Sequence, residues 1–400
     1  MVRRRCGVLV LVLVREALVQ LIVIELGACP PPDRQHLNSL HNSFTLQHSI
    51  LLAPTATMAI LTHLLTLLFA TPLLHAAILP SQNPLPPPNP SSSSNNDDET
   101  PLPLIIWHGL GDNYAADGLA DVASLAEKIH PGTFTYIIRL DEDASSDRTA
   151  TFFGNLTLQI DQVCSDLASH PILSTAPAVD ALGFSQGGQF LRGYVERCNN
   201  PPVRSLVTFG SQHNGISEFQ TCSSGDWVCK GAQGLLRSNT WSAFVQSRLV
   251  PAQYFRDPAQ LDSYLEFSNF LADINNERAL KNATYKANME KLERFTMVLF
   301  EDDETVVPKE SSWWAEVDEE GKVTELRDRD IYKENWVGLK GLDDKGALRF
   351  ETTEGGHMQL SSKVLKKTFK ENFGRLGRKF DDGEAEVIES EEEAEWQLEL

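Results

Sequence analysis

Basic charge, cysteine and long apolar runs are all scarce in this 400-residue sequence, and each shortage excludes a class of protein. Lys and Arg number 35 against 55 Asp and Glu, a formal charge of −20. A nucleic-acid binder needs a basic face to meet phosphates, so nucleic acid is excluded as a partner. Six cysteines are too few for a disulfide-built scaffold, yet enough for two bridges in a secreted enzyme. No apolar run reaches the roughly 20 residues a membrane-spanning helix requires, which argues against a stable span in the mature protein. Nor is there a His/Cys/carboxylate cluster at ligand spacing, so no metal site is expected, and no motif asks for a cofactor. No internal repeat is visible, and no pattern specifies an oligomer.

Against those absences, apolar residues make up 42% of the chain, enough for a sizeable core and too many for wholesale disorder. The charge is unevenly placed. Residues 381–400 hold ten acidic and no basic side chains, half of the total, leaving about −10 for the other 380. The stretch 379–400 reads as an acidic, disordered tail. At the other end, residues 1–77 read as a leader region with two signal-like segments in series. Arg3, Arg4 and Arg5 precede an apolar run from Gly7 to Val14. A second run starts at Met58 and passes through Leu61, Leu64, Leu65, Leu67, Leu68 and Phe69 to small residues at Ala76 and Ala77. That succession of polar start, short apolar stretch and small-residue exit is the pattern of a signal peptide, expected at 58–77. Met58 is the expected true start, with residues 1–57 an upstream extension of the gene model. Residues 78–100 contain SQNPLPPPNPSSSSNNDDET, a Pro/Ser/Asn/Asp tract with little to bury, read as a disordered linker.

The folded domain is therefore expected at 101–378. Leu102, Leu104, Ile105, Ile106 and Trp107 form a buried strand that stops at the Gly-rich turn HGLGD, residues 108–112. Helical spacing follows at 117–129, a strand at 133–140, an amphipathic helix at 156–167 and a strand at 179–184. A helix at 189–197 precedes strands at 203–209, 295–300 and 348–352. Strands alternating with helices imply an α/β architecture, a mostly parallel sheet covered on both faces. Between 211 and 288 the alternation fails, and a helical, loop-rich insertion is expected over the carboxyl edge of the sheet.

Gly183-Phe184-Ser185-Gln186-Gly187 is a G-x-S-x-G between an apolar strand and a helix, the setting of a nucleophile elbow. A serine forced into that strained turn needs small neighbours, and Gly183 and Gly187 supply them. Serine also needs a base, and the base a carboxylate, in the chain order Ser, acid, His. Beyond the late strand only His357 remains among ten histidines. Four acids follow the strand at 295–300, from Glu301 to Glu304, and the cadence from Asp303 through Val306 to Pro308 favours Asp303 over Asp302. For an oxyanion hole the backbone N–H groups of Gln186 and Leu110 are the candidates. His108 reads as a packing or supporting residue rather than a reacting one.

Taken together, IWHGLGD (106–112), LGFSQGGQFLR (182–192), FLADINNER (270–278), Gly338-Leu339-Lys340 and TEGGHMQL (353–360) resemble the palmitoyl-protein thioesterases of the lysosome. The likeness covers nearly all of 101 to about 373. It implies an α/β-hydrolase fold, a helical insertion forming the acyl-binding region, and removal of palmitoyl groups from cysteines of S-acylated proteins or peptides. By the same resemblance Ser185 is the nucleophile, Asp303 the acid and His357 the base, acting through an acyl-serine intermediate. The rival is a lipase or carboxylesterase acting on oxygen esters, since one triad serves both. Disulfides Cys164–Cys198 and Cys222–Cys229 are implied too. Residence in the lysosome or vacuole follows from the likeness alone; the signal segment supports only the secretory route, with secretion as the alternative. The triplets at Asn155 and Asn282 are N-glycosylation acceptors that suit that route. Departures stand at Asn113 and Tyr114, where the family often has adjacent cysteines, at Ser211 in its GGQH turn, and at Val307 in place of an acid. They put the shape of the acyl pocket in question, for which Val245, Leu249, Tyr254, Phe255, Phe267, Phe270 and Leu271 are the candidate lining.

Overall fold

The computed structural model describes residues 8–15, 18–25, 100–219, 224–380 and 397–399. The chain divides into two compact units, residues 1–87 and 88–400. In the first, β1 (Val8–Arg15) and β2 (Leu18–Glu25) pair antiparallel, with Val8 opposite Glu25. Both are rich in Val, Leu and Ile, which suits extended backbone. The signal segment at 58–77 and the linker up to residue 99 lie outside the described residues.

The second unit is built on a six-stranded parallel sheet. Its strands are β3 (Leu104–Trp107), β4 (Thr135–Ile137), β5 (Val179–Phe184), β6 (Val203–Phe209), β7 (Arg294–Phe300) and, after a small hairpin of β8 (Glu316–Val317) and β9 (Val323–Thr324), β10 (Leu348–Thr353). Their spatial order is β10-β7-β6-β5-β3-β4. Every residue of β3, β5, β6 and β7 is buried, which is why these strands read as near-continuous apolar runs. Side chains alternate between two cores. Leu104 and Ile106 pack with Leu119, Val122 and Leu125 of α1 (Asp117–Ile129). Ile105 and Trp107 pack on the other face with Ile160, Val163 and Leu167 of α3 (Leu156–Ser169) and Leu191 and Val195 of α4 (Gln186–Arg197). This is the α/β-hydrolase architecture that the sequence pattern and the family likeness imply.

Four elements depart from expectation. The strand expected at 133–140 is reduced to the three residues of β4. Helix α4 begins at Gln186 rather than 189, because the glycines after Ser185 are helical here. A short helix, α2 (Ala144–Ala150), had no visible signal: its sequence ASSDRTA lacks an apolar stripe, and the Asp143 side chain caps it by accepting from Ser146 N. Within the stretch expected to be a disordered tail, β12 (Gln397–Glu399) pairs antiparallel with β11 (Gln359–Ser361), Leu398 opposite Leu360. Residues 381–396 lie outside the described residues. The insertion contains α5 (Trp227–Asn239) and short helices at Ala243–Gln246, Val250–Gln253, Leu261–Phe267, Leu271–Ile274 and Ala283–Met289. A last helix, α6 (Ser362–Asn372), packs Leu365 and Phe369 into the same core as α1. Among the described residues no helix is long and apolar enough to cross a membrane.

Candidate active site

Parallel register brings the carboxyl ends of β5, β7 and β10 to one edge. Phe184 aligns with Phe209, Phe209 with Val298, and Phe300 with Thr353. Ser185, Asp303 and His357 each follow one of these strand ends.

Ser185 sits at φ 51° and ψ −126°, a left-handed conformation that a serine adopts only under strain. The surrounding packing enforces it. A Cβ on Gly183 would run into the backbone of Gly188, and one on Gly187 into the carbonyls of Trp107 and His108. Both glycines of the motif are therefore there for close approach. The serine is 8% exposed and lines the pocket.

His357 Nε2 lies 3.0 Å from Ser185 Oγ, and its Nδ1 lies 2.7 Å from Asp303 Oδ2. The other carboxylate oxygen of Asp303 accepts from the backbone N–H groups of Thr305 and Val306 at 2.8 and 2.9 Å. A carboxylate accepting on both oxygens leaves Nδ1 as the donor, so Nε2 is free to accept the serine proton. Asp302 is exposed, and its backbone N–H donates to Gly355 O. The geometry thus separates the two acids that spacing left open.

Opposite this line lies the HGLGD loop. Gly109 comes so close that an added Cβ would stand 3.1 Å from Ser185 Cβ. Leu110 lines the pocket beside Ser185. Gln186 opens α4, so its N–H is among those a helix leaves without an internal partner. Burial pushes the Asp112 carboxyl up from its ordinary range. His108 is buried and donates from Nε2 to Asp147 Oδ2 at 3.0 Å, the supporting place expected of it.

The pocket that opens on Ser185 has an empty volume of about 540 Å³, its mouth included. Leu110, Phe152, Ile216, Leu236, Pro251 and Val306 are among its walls, which are mostly apolar. A serine hydroxyl in line with an imidazole and a carboxylate, beside an apolar slot, is an arrangement able to carry acyl transfer.

Residues 103–357 match the family model described as palmitoyl protein thioesterase. The chain belongs to that family. Among its relatives, palmitoyl-protein thioesterase 1 of Caenorhabditis elegans is 36% identical over 270 residues, 66% of this chain and 89% of that protein. Palmitoyl-protein thioesterase 3 of Dictyostelium discoideum is 32% identical over 258 residues, 64% and 84% of the two chains. The lysosomal thioesterase PPT2 homolog of Drosophila melanogaster is 28% identical over 255 residues, 62% and 82%. Membership makes this chain a thioester hydrolase of the α/β-hydrolase class.

Cys164 on α3 and Cys198 at the end of α4 form a disulfide with Cα atoms 6.1 Å apart. Cys222 lies outside the described residues, so its bridge to Cys229 stays an expectation. Asn155 and Asn282 both cap helices, their side chains accepting from Leu158 N and Thr284 N. Of the candidate pocket residues, only Tyr254 lines the pocket. Phe255, Phe270 and Leu271 belong to the main core, Val245 and Leu249 to a smaller cluster behind the pocket, and Phe267 is 46% exposed. Apolar character in the insertion could not distinguish wall from core. Sequence reasoning also passed over Asp147, Arg148 and Thr151 on and after α2, which hold the HGLGD loop. A weakly patterned polar segment carries no signal for such a task.

Proposed function

We propose that the protein cleaves long-chain fatty acyl thioesters from cysteines of S-acylated proteins or peptides through an acyl-serine intermediate. What carries this reading is the unbroken line Asp303–His357–Ser185 ending at the mouth of an apolar pocket. Ser185 Oγ adds to the thioester carbon while its proton passes to His357 Nε2. The oxygen that becomes negative faces the N–H groups of Leu110 and Gln186. On collapse the C–S bond breaks and the thiolate leaves, taking the proton from His357. A free cysteine thiol has a pKa of about 8.5, so this departure needs little acid assistance. Water then attacks the acyl-serine with His357 taking its proton, the C–Oγ bond breaks as His357 returns that proton to Ser185 Oγ, and fatty acid is released.

The acyl chain supplies binding rather than chemistry. Burying sixteen carbons at about 0.8 kcal/mol per methylene is worth on the order of 10 kcal/mol before entropy losses. Lysosomal or vacuolar residence, reached through a signal peptide at 58–77, is supported by relatives named lysosomal thioesterases and by the Cys164–Cys198 disulfide. Glycans at Asn155 and Asn282 fit the same route. Attachment at Nδ2 leaves Oδ1 free to go on capping each helix.

The test is hydrolysis of palmitoyl-coenzyme A by the full chain beside its Ser185→Ala variant. Thiol release that disappears in the variant is the expected result; turnover retained by Ser185→Ala overturns the mechanism. Faster cleavage of the matched oxygen ester than of the thioester would replace the substrate class with that of an esterase.

A further inference from the structure

The Leu110 N–H stands between two glycines, the most mobile backbone a chain can offer, yet an oxyanion donor must be held within a few tenths of an ångström. Something must fix it. Three residues within about a turn and a half of chain, Asp147, Arg148 and Thr151, hold it from outside. Asp147, fully buried, accepts from His108 Nε2 at 3.0 Å and Tyr114 N at 2.9 Å on one oxygen, pinning both ends of the loop. Its other oxygen accepts from Leu140 N at 2.7 Å. Burial opposes its ionisation, but the His108 hydrogen bond and charge and the two backbone donors hold its carboxyl below the usual range.

Arg148 donates from Nε to Gly111 O at 2.7 Å. Its Nη2 reaches Asp226 at 2.6 Å, the N-cap of the helix α5 that walls the pocket. Thr151 is buried and touches both sides of the oxyanion site. Its hydroxyl accepts from Gly111 N at 2.9 Å and donates to Arg148 O at 2.7 Å. Its carbonyl accepts from Gln186 Nε2 at 3.3 Å, while Tyr254 donates to Gln186 Oε1 at 3.1 Å.

We propose that residues 147–151 are the positioning element of the oxyanion hole, with Thr151 the joint that keeps the Leu110 and Gln186 N–H groups in one fixed relation. The inference rests on reading those two groups as the oxyanion donors. None of the three is among the residues lining the pocket; each acts through the loop.

The experiment uses Thr151→Val, which keeps the shape and removes the hydroxyl, Thr151→Ser, which restores it, and Arg148→Ala. Steady-state kinetics on palmitoyl-coenzyme A are paired with the affinity of a sixteen-carbon trifluoromethyl ketone, whose carbonyl takes up the serine oxygen and becomes a tetrahedral oxyanion. Thr151→Val should lower kcat about 10- to 100-fold with KM within about threefold, and weaken the ketone by the same factor as kcat/KM. Thr151→Ser should recover both. Arg148→Ala, at a half-buried position, should lose about 3- to 10-fold in both, the worth of one hydrogen bond. Parent-like kcat and ketone affinity in a folded Thr151→Val, or a KM-only defect, overturns the inference; should that variant not fold, Arg148→Ala decides in the same terms. If Ser185→Ala still turns over, the underlying mechanism falls instead, so the two failures are told apart.

Discussion

The two walls of the pocket differ in what holds them. One is made of strand ends: the elbow after β5, the acid loop after β7 and the histidine loop after β10, aligned by parallel register. The other is made of the HGLGD loop, α2 and the insertion around α5, held by side-chain hydrogen bonds and a small apolar cluster of Phe152, Ala232, Leu236, Val245, Leu249 and Ala252. The strand-end wall holds Ser185, Asp303 and His357 and inherits the rigidity of a sheet whose four central strands are fully buried. In the proposed function the second wall sets what is bound and how well the transition state is held. Changes in the first should therefore abolish turnover, while changes in the second should grade it.

The sharpest way to break that contrast is at the acid. Asp303→Asn should lower kcat about 10⁴-fold by leaving His357 in the wrong tautomer, whereas Asp302→Asn should stay within about twofold of the parent. Comparable losses in both would mean that the strand-end wall is less discrete than its geometry. Next in size is the brace behind the two walls. Replacing Cys164 and Cys198 by Ser opens a bridge across 34 residues and should cost about 3–4 kcal/mol of stability, read by denaturant unfolding, with kcat unchanged below the melting range.

A graded effect is expected within the second wall. Leu236→Ala should raise KM for a sixteen-carbon thioester about tenfold and barely alter that for a four-carbon one, measured as chain-length profiles side by side. An equal change for both lengths would remove Leu236 from the acyl slot.

The smallest effect lies under the sheet edge. Glu196 is fully buried and pairs with Arg192 at 2.9 Å, but its Oε2 has no hydrogen-bond partner. Burial pushes its pKa up to about 7. Its unfolded value is about 4.3, so the folded state holds the extra proton between those limits. The stabilisation is complete below the lower value and is lost as pH rises through the upper one. Between pH 5 and 8 the Tm of the parent should therefore fall by a few degrees relative to Glu196→Gln, read by calorimetry at matched salt. A parallel pair of curves would show that Glu196 stays ionised throughout.

Legibility followed the same division. The elbow could be read because a strained serine demands glycines at fixed offsets, and His357 because chain order left one histidine beyond the late strand. Asp303 and Asp302 could not be separated by spacing with certainty, since adjacent residues point to opposite sides and only the fold says which side is inward. Asp147, Arg148 and Thr151 left no mark, because hydrogen bonds to a loop about 40 residues away impose no periodicity. The apolar residues of the insertion were visible as apolar, but burial in a core and burial around a ligand select the same side chains.

By itself, then, the sequence determined the alternation of buried strands and helices, the strained turn that presents Ser185, and the partners supplied by chain order. Those depend on local stereochemistry and on apolar patterning, both of which are written within a dozen residues. Tertiary structure alone decided which acid faces His357, which apolar side chains line the slot, and what clamps the Gly-rich loop. Each of these turns on distances between segments far apart in the chain, set only when the sheet register and the insertion are in place.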